Sequence, residues 1–190
     1  IPRALATAER GVRADDDSQM AWLGLAAAYY FAHDQDKFIG AADKALAINP
    51  NDVSTLAGLG FLFGTWGMLE KGLRLTEKAI ALSPFDLFWY YVVPWIDAYS
   101  RQDYETALAY AHKYNVPGFW WTYMYYVPAY AQLGQMEEAK EALDRLRELK
   151  PDIAEDFWNQ CRYWNMPDSL IAHLAEGFRK AGLDIQEPTN

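Results

Sequence analysis

The chain of 190 residues carries 17 basic and 26 acidic side chains, which give a formal net charge of −9 at pH 7. This acidic balance repels phosphate and argues against direct binding to nucleic acid or to an anionic membrane surface. Apolar residues (52%) and aromatic residues (16%) are abundant enough for a substantial core, which excludes a disordered chain. The single cysteine, Cys161, cannot form an internal disulfide and therefore favours a reducing, cytoplasmic location.

Proline residues recur along the chain at a nearly constant spacing. Successive members of the series are separated by 34, 33 and 34 residues; they are Pro50, Pro84, Pro117 and Pro151. The first two end the similar segments KALAINP and KAIALSP, and a second landmark, the dipeptide Val-Pro, recurs after 34 residues at Pro94 and Pro128. A period of this length suits a helix, a turn, a second helix and another turn, and it predicts an all-α repeat protein.

The residues within each period resemble the pattern of the tetratricopeptide repeat (TPR) family, W-x2-L-G-x2-Y followed by A-x3-F and P. The first full repeat supplies Trp22, Leu25, Ala26, Tyr29, Ala45 and Pro50, with the A-x3-F pair inverted in size as Phe38 and Ala42. The second repeat supplies Leu56, Leu59, Gly60, Phe63, Ala79 and Pro84. The fourth repeat supplies Tyr123, Tyr126, Val127, Tyr130, Ala139, Leu143 and Pro151. The third repeat is irregular: Ala107 comes late, so its second helix is expected to be short and to end at YNVPG.

The two ends of the chain are expected to differ from the repeats. Residues 1–17 place Ala4, Ala8 and Gly11 where a second helix belongs, which predicts half a repeat whose other half lies upstream in a longer parent protein. After Pro151, two capping helices are expected, the second of them ending at Gly182. This tail resembles the C-terminal TPR regions of bacterial class III adenylate cyclases and winged-helix transcription regulators, which implies a signalling or regulatory parent.

The resemblance implies an all-α fold, a TPR-like right-handed α-α superhelix (solenoid) that forms a single domain over residues 1–190. It comprises an N-terminal half repeat (1–17), four repeats (18–51, 52–85, 86–118 and 119–152) and C-terminal capping helices with a tail (153–190). The uncharged run from Val53 to Leu69 is shorter than the roughly 20 residues that span a bilayer. We interpret this run as a buried repeat helix and expect no membrane association.

In the TPR family the first helix of each repeat lines a concave groove, which usually binds a protein or peptide. The segment FWWTYMYYVPAY, residues 119–130, holds seven aromatic residues. Helical spacing assigns four of its residues to the core; they are Tyr123, Tyr126, Val127 and Tyr130. The opposite stripe and its counterparts in earlier repeats are expected to face the groove. The predicted partner-binding residues are Tyr30, Phe31, Phe61, Thr65, Tyr90, Asp97, Trp121, Met124, Tyr125 and Gln132.

Three interpretations of this groove stripe stay open. Aromatic residues with Met are typical of interface cores, which favours a protein or peptide partner. Alternatively, the closing helices cover the stripe, or a second copy of the chain buries it or the first half repeat in a homodimer. Pro94 and Pro128 are expected to kink their helices and to free the carbonyls of Tyr90 and Met124 for a ligand, unless both prolines only set the curvature.

The sequence contains no recognisable catalytic or cofactor-binding motif. The three histidines are far apart in the repeat scheme; they are His33, His112 and His173. Metal-ligand spacings, a nucleophile elbow and a phosphate-binding glycine loop are absent from the sequence. Cys161 is expected to be buried and inert. We therefore expect a binding module without a catalytic or metal site and without a cofactor, not an enzyme.

Overall fold

The computed structural model describes residues 2–84 and 88–186, and all regular structure in these ranges is helical. The chain divides into two compact units, residues 1–86 and 87–190. The first unit contains α1 (Pro2–Ala14), α2 (Gln19–Phe31), α3 (Gln35–Ile48), α4 (Val53–Thr65) and α5 (Leu69–Leu82). The second contains a 3-10 helix (Phe88–Tyr91), α6 (Val92–Ser100), α7 (Tyr104–Tyr114), α8 (Trp121–Gln132), α9 (Met136–Leu149), α10 (Ile153–Tyr163) and α11 (Asp168–Ala181). A single domain over residues 1–190 stays a prediction.

The helices pack as the antiparallel pairs that the period predicts. The pairs are α2 with α3, α4 with α5, α6 with α7 and α8 with α9. The third repeat is irregular, as expected. Its first helix begins with the 3-10 turn, and its second helix, α7, has 11 residues and ends at Tyr114, where α3, α5 and α9 have 14. The repeats of the sequence are therefore helical hairpins in the structure.

A side-chain oxygen caps the N-terminus of four helices. Ser18, Asp34, Asp52 and Asp103 each accept a hydrogen bond from the backbone N–H three residues later, at the starts of α2, α3, α4 and α7. The bond from Thr55 N to Asp52 Oδ1 is 2.8 Å long. The first N–H groups of a helix have no partner within the helix, so such caps fix where it begins.

A residue with left-handed backbone conformation reverses the chain inside every hairpin. These residues are His33 (φ 58°), Gly67 (φ 83°), Gln102 (φ 62°) and Gly134 (φ 75°). Only glycine adopts this conformation without a steric cost, so His33 and Gln102 are held there by the helices on either side. The left-handed turn is thus a recurring part of the repeat, although three different residue types (His, Gly and Gln) occupy it.

Glycines allow α4 and α5 to pack at very short distance. A Cβ atom added to Gly72 would lie 2.7 Å from the Cα atom of Gly64 and 2.9 Å from the carbonyl oxygen of Gly60. Gly60 in turn faces the backbone N of Thr76, which would lie 3.0 Å from an added Cβ. The uncharged run from Val53 is therefore a repeat helix packed against its partner, as predicted. Over the described ranges, no helix has both the length and the apolar character needed to cross a membrane.

We predict that Gly72→Ala destabilises the chain by about 1–3 kcal/mol, because the added methyl group must push two helix backbones apart. Gly40→Ala is the matched control, since Gly40 lies inside α3 and an added Cβ there meets no atom within 4 Å. This control should raise stability by about 0.5–1 kcal/mol through helix propensity. Urea denaturation followed by circular dichroism measures both. Equal effects of the two substitutions would contradict the close packing.

Candidate partner-binding face

Two predicted site residues of the first unit are buried and bind each other. The hydroxyl groups of Tyr30 and Thr65 lie 2.8 Å apart, and Thr65 Oγ1 donates to the carbonyl oxygen of Phe61 at 2.9 Å. Tyr30 therefore acts as the donor to Thr65. Tyr30 exposes 0% of its surface and Thr65 exposes 1%. Because buried hydroxyl groups need partners, this pair holds α2 against α4 and satisfies both groups.

An apolar stripe runs along α2. Its members recur at helical spacing and all stay at least partly exposed; they are Met20, Leu23, Ala27 and Phe31. We call these four residues the α2 face. Met20 exposes 65% of its surface, and α2 carries no charged side chain. Phe61 of α4, another predicted site residue, is also partly exposed. The first unit thus keeps apolar surface on a first helix. Of the two site residues predicted on α2, Phe31 belongs to this surface and Tyr30 is buried.

The same repeat positions in the second unit lie on α8. The α2 face shifted by 101 residues, the separation of Pro50 and Pro151, gives Trp121, Met124, Pro128 and Gln132. We call these residues the α8 face. Trp121 exposes 6% of its surface and Met124 exposes 3%, and Pro128 is buried as well. The adjacent predicted site residue Tyr125 exposes 4%. Three of the four residues of the α8 face are therefore buried and Gln132 is partly exposed, whereas all four residues of the α2 face stay at least partly exposed.

The helix that covers the α8 face is α11. A Cβ atom added to Gly177 of α11 would lie 2.7 Å from Pro128 Cβ and 2.7 Å from the hydroxyl oxygen of Tyr99. Such short distances leave room only for glycine, so the backbone of α11 lies directly on α8 and on the end of α6. The sequence left open whether a partner, a second copy or a closing helix covers the groove stripe. On α8, the structure shows a closing helix of the same chain.

Apolar side chains of α11 fill the contact. The buried ones are Leu170, Ile171, Leu174, Ala175, Phe178 and Ala181. The Phe178 ring lies 5.4 Å from the ring of Phe157 on α10. A small apolar cavity of about 10 Å³ remains, and its lining includes Trp95, Trp121, Tyr125, Cys161, Leu170 and Leu174. A space of this size holds at most about one water molecule, so the contact is packed but not perfectly filled.

A histidine joins α11 to α6 and α7. The Tyr99 hydroxyl donates to the carbonyl oxygen of His173 at 3.2 Å, and the Tyr104 hydroxyl lies 2.9 Å from His173 Nε2. The imidazole also packs on the ring of Tyr99, with 4.5 Å between ring centres. Burial lowers the pKa of His173 from its ordinary value of 6.5; Lys180 acts in the same direction, and Glu176 opposes both. The docked helix therefore favours the neutral imidazole.

Two predicted polar anchors are engaged within the chain. Gln132 Oε1 accepts a hydrogen bond from Lys180 Nζ, and Gln132 Nε2 donates to Glu176 Oε1 at 3.5 Å. Gln132, predicted to contact a partner, thus contacts α11 of the same chain. The Asp97 carboxylate accepts a bond from Arg101 Nε at 3.0 Å, one turn further along the chain. This second contact is an exposed i,i+4 pair, which contributes little to stability.

The two prolines expected to kink first helices lie in different environments. Pro94 is the third residue of α6, in the first turn, where an N–H group has no partner within the helix. The prediction that Pro94 kinks a helix interior is therefore wrong. Pro128 does lie inside α8, but it is buried against Gly177. Tyr90, the remaining predicted site residue, exposes 3% of its surface in the 3-10 helix.

The division of residues 119–130 into a core stripe and a groove stripe is only partly confirmed. Val127 exposes 0% and Tyr126 exposes 8% of its surface, as expected for core residues, but Tyr123 and Tyr130 are partly exposed. The Tyr126 hydroxyl lies 3.1 Å from Nδ1 of His112, and burial raises the pKa of Tyr126 to about 12. Because α11 covers the opposite stripe, both sides of α8 contribute to the core.

Sequence reasoning missed Gly177 and His173 as the residues that seat α11. A signal for Gly177 was present, since glycine in a helix interior costs about 1 kcal/mol relative to alanine and usually has a packing reason. Cys161 is buried, as expected, and burial raises the pKa of its thiol to about 12, which disfavours the reactive thiolate at neutral pH. Among the described residues, no group of three or more His, Cys, Asp or Glu side chains could hold a metal ion.

Comparisons with known proteins identify the fold. No family model matches the sequence, and no curated protein matches it. The crystal structure of PilW, described as a widely conserved type IV pilus biogenesis factor, has a TM-score of 0.71 at 19% identity, over 95% of this chain and 82% of that chain. YrrB, described as a TPR protein with an unusual peptide-binding site, has a TM-score of 0.61 at 16% identity, over 94% of this chain and 92% of that one. MamA has a TM-score of 0.59 at 18% identity, over 86% and 89%. The chain therefore has the all-α TPR fold that its repeats predict.

We predict that His173→Gln reduces the loss of stability on acidification. The folded state lowers the pKa of His173, so it binds fewer protons there than the unfolded state, and wild-type stability falls as the pH drops through 6.5. Glutamine can still bond to Tyr104 but does not titrate. The measurement is the free energy of unfolding in urea between about pH 7.5 and about pH 5.

His33→Gln is the matched control, because His33 is exposed and Gln102 occupies the same left-handed turn position in the third repeat. If both variants follow the wild-type pH profile, His173 does not couple α11 to pH.

Proposed function

We propose that this chain is a protein-interaction module that binds a protein or peptide segment on the faces of its first helices. The contrast between two equivalent surfaces supports this proposal: the α8 face buries an amphipathic helix, while the same repeat positions on α2 stay partly exposed. A surface position that binds a helix in one repeat is suited to bind a segment in another. The likeness to YrrB, whose description names a peptide-binding site, agrees with this mode.

The chemistry of the α2 face indicates the kind of segment it would bind. Met20 and Leu23 offer flexible apolar surface, Ala27 lets a partner approach closely, and Phe31 with Phe61 adds aromatic surface. Interfaces of this kind derive most of their energy from a few buried apolar anchors. Because the chain carries a net charge of −9, basic residues flanking those anchors would speed association. We therefore propose an apolar segment with basic flanks as the partner of the first unit.

The proposal includes a cellular context that rests on the sequence. The resemblance of the tail to repeat regions of bacterial signalling proteins supports a regulatory role inside a larger parent protein. Cys161 is buried and has a free thiol, which is compatible with a location in the reducing cytoplasm. Among the described residues, no cluster of His, Cys, Asp or Glu side chains could hold a catalytic metal ion, and the proposal assigns no catalytic role. The module would accordingly act by bringing a partner to its parent.

The test of the proposed function is a selection of displayed peptides on the immobilised full chain, followed by affinity measurements with the enriched peptides. We predict that Met20→Lys/Leu23→Lys weakens their binding about tenfold or more, since two cations would then lie in an apolar contact. The matched control is Ile48→Lys, which places a cation on another partly exposed apolar residue (41%) outside the α2 face. Thermal unfolding verifies that both variants fold. Equal binding to both would contradict the proposal.

Self-association is a second candidate function, and α1 favours it. This helix buries none of its side chains fully, and Leu5, Ala8 and Val12 form an apolar stripe that stays partly exposed. A second copy could complete the burial of this stripe. Light scattering over about 1–200 µM protein tests the idea, because a dimer of this kind grows with concentration. A monomer throughout the range would contradict it.

A further inference from the structure

The way α11 packs differs from the way the repeat helices pack. Each repeat helix lies mainly against its neighbour in the chain, as α8 does against α9. The helix α11 instead lies mainly against α8, and its polar contacts reach Tyr99 of α6 and Tyr104 of α7. An amphipathic helix that lies along a groove between other helices is a common mode of peptide recognition. In the second unit, the chain supplies this helix itself.

Three features of α11 determine how it fits. The apolar residues Leu170, Leu174 and Phe178 repeat every four positions and are buried. Leu170 and Leu174 meet side chains of α6 and α8, and Phe178 packs on Phe157 of α10. Gly177 permits the backbone to approach Pro128 at a distance that no other residue allows. Lys180 donates to Gln132 at the end of the α8 face. A helix from another protein with an apolar residue at every fourth position, a glycine at the crossing and a cation one turn later would meet the same groove.

The contact between α11 and the groove is not optimised as a core. Leu170 and Leu174 line an apolar cavity of about 10 Å³ together with residues of the groove. Trp95, which also lines the cavity, has a buried indole N–H with no hydrogen-bond partner among the described residues. The four residues that join α10 to α11 include Asn165, which adopts a left-handed backbone conformation (φ 50°). A small unfilled space and a buried N–H without a partner each weaken this contact, which lowers the free energy needed to open it locally.

We propose that α11 is an internal occupant of a helix-binding groove on α6 and α8, and that an amphipathic helix of a partner protein, with the chemistry of α11, replaces it. This inference rests on the proposed function and specifies the partner class and the regulation for the second unit. The connection to α10 keeps α11 at a high effective concentration next to its groove. A partner therefore binds only to the fraction of molecules in which α11 has left, and anything that loosens α11 raises the apparent affinity.

The first experiment measures opening with Cys161, the single cysteine of the chain. Its thiol is 0% exposed and lies in the cavity that Leu170 and Leu174 close, so departure of α11 makes it reactive. The variant is Gly177→Ala, which favours the isolated helix but blocks its close approach to Pro128. The control is Gly40→Ala in α3. We expect about tenfold faster thiol labelling in Gly177→Ala than in wild type or control, with a shallow dependence on urea.

A steep urea dependence that matches global unfolding in every variant would overturn the inference, because α11 would then open only with the whole unit. If Gly177→Ala fails to fold, Leu174→Ala removes an apolar anchor of the same contact without adding a steric clash. The expected result for Leu174→Ala is the same: faster labelling with a shallow urea dependence.

The second experiment adds the occupant in trans. A fluorescent peptide of residues 166–186 is titrated with the full-length chain, and binding is read by fluorescence anisotropy. We expect Gly177→Ala to bind the peptide about tenfold more tightly than the wild type does. A peptide that itself carries Gly177→Ala should bind about tenfold more weakly than the unchanged peptide. No binding, or equal binding in all combinations, would overturn the inference.

The outcomes separate this inference from the proposed function and from self-association. If peptides selected on the chain depend on Met20 and Leu23 while the α11 peptide does not bind, the inference fails and the proposed function stands. If the α11 peptide binds and no selected peptide depends on the α2 face, the proposed function of the first unit fails and the inference stands. A dimer in light scattering that disappears when the α11 peptide is added would show that α11 exchanges between copies, which overturns replacement by a different partner.

Discussion

Each helical hairpin depends on one backbone position that reverses the chain between its two helices. His33, Gly67, Gln102 and Gly134 all adopt left-handed φ values at this position. The reversal places the second helix against one side of the first, and that side becomes core. The remaining side of the first helix is then left without a partner from its own hairpin. Both the α2 face and the α8 face follow from this hairpin geometry alone, whether or not a partner binds to them.

Glycine at helix crossings determines what can lie on such a side. Gly72 brings α5 within backbone contact of α4, and Gly177 brings α11 equally near to α8. The same device therefore operates inside a hairpin and between α8 and a helix that belongs to no hairpin. Close backbone approach increases the apolar area that two helices can remove from water, which compensates for the low helix propensity of glycine. The packing of α11 on α8 resembles the packing of a repeat in chemistry, although it lacks the connection of a repeat.

Much of the fold could be predicted from the sequence, because it depends on local periodicity. The series from Pro50 to Pro151 located the hairpins, late Ala107 indicated a short α7, and Gly182 with φ 97° ends α11 as expected. The burial of the α8 face under α11 could not be predicted in the same way. Periodicity shows that Trp121 and Met124 share a side of a helix, but it does not show what covers that side. The covering helix departs from the repeat pattern, and a pattern-based argument places it at the end of the chain as a cap.

The two faces illustrate how one surface can serve stability or recognition. Burial of apolar area stabilises a contact whether the covering helix comes from the same chain or from another. The difference lies in the entropy of association, which a four-residue connection removes for α11 and which an external partner must overcome. The α8 face can therefore bury large side chains such as Trp121 and still bind a helix with an imperfect fit. The α2 face stays at least partly exposed, and it includes the flexible side chain of Met20 and the small side chain of Ala27. Flexible side chains such as that of Met20 can change rotamer when their surroundings change, whereas large rings such as that of Trp121 need a covering helix of matching shape.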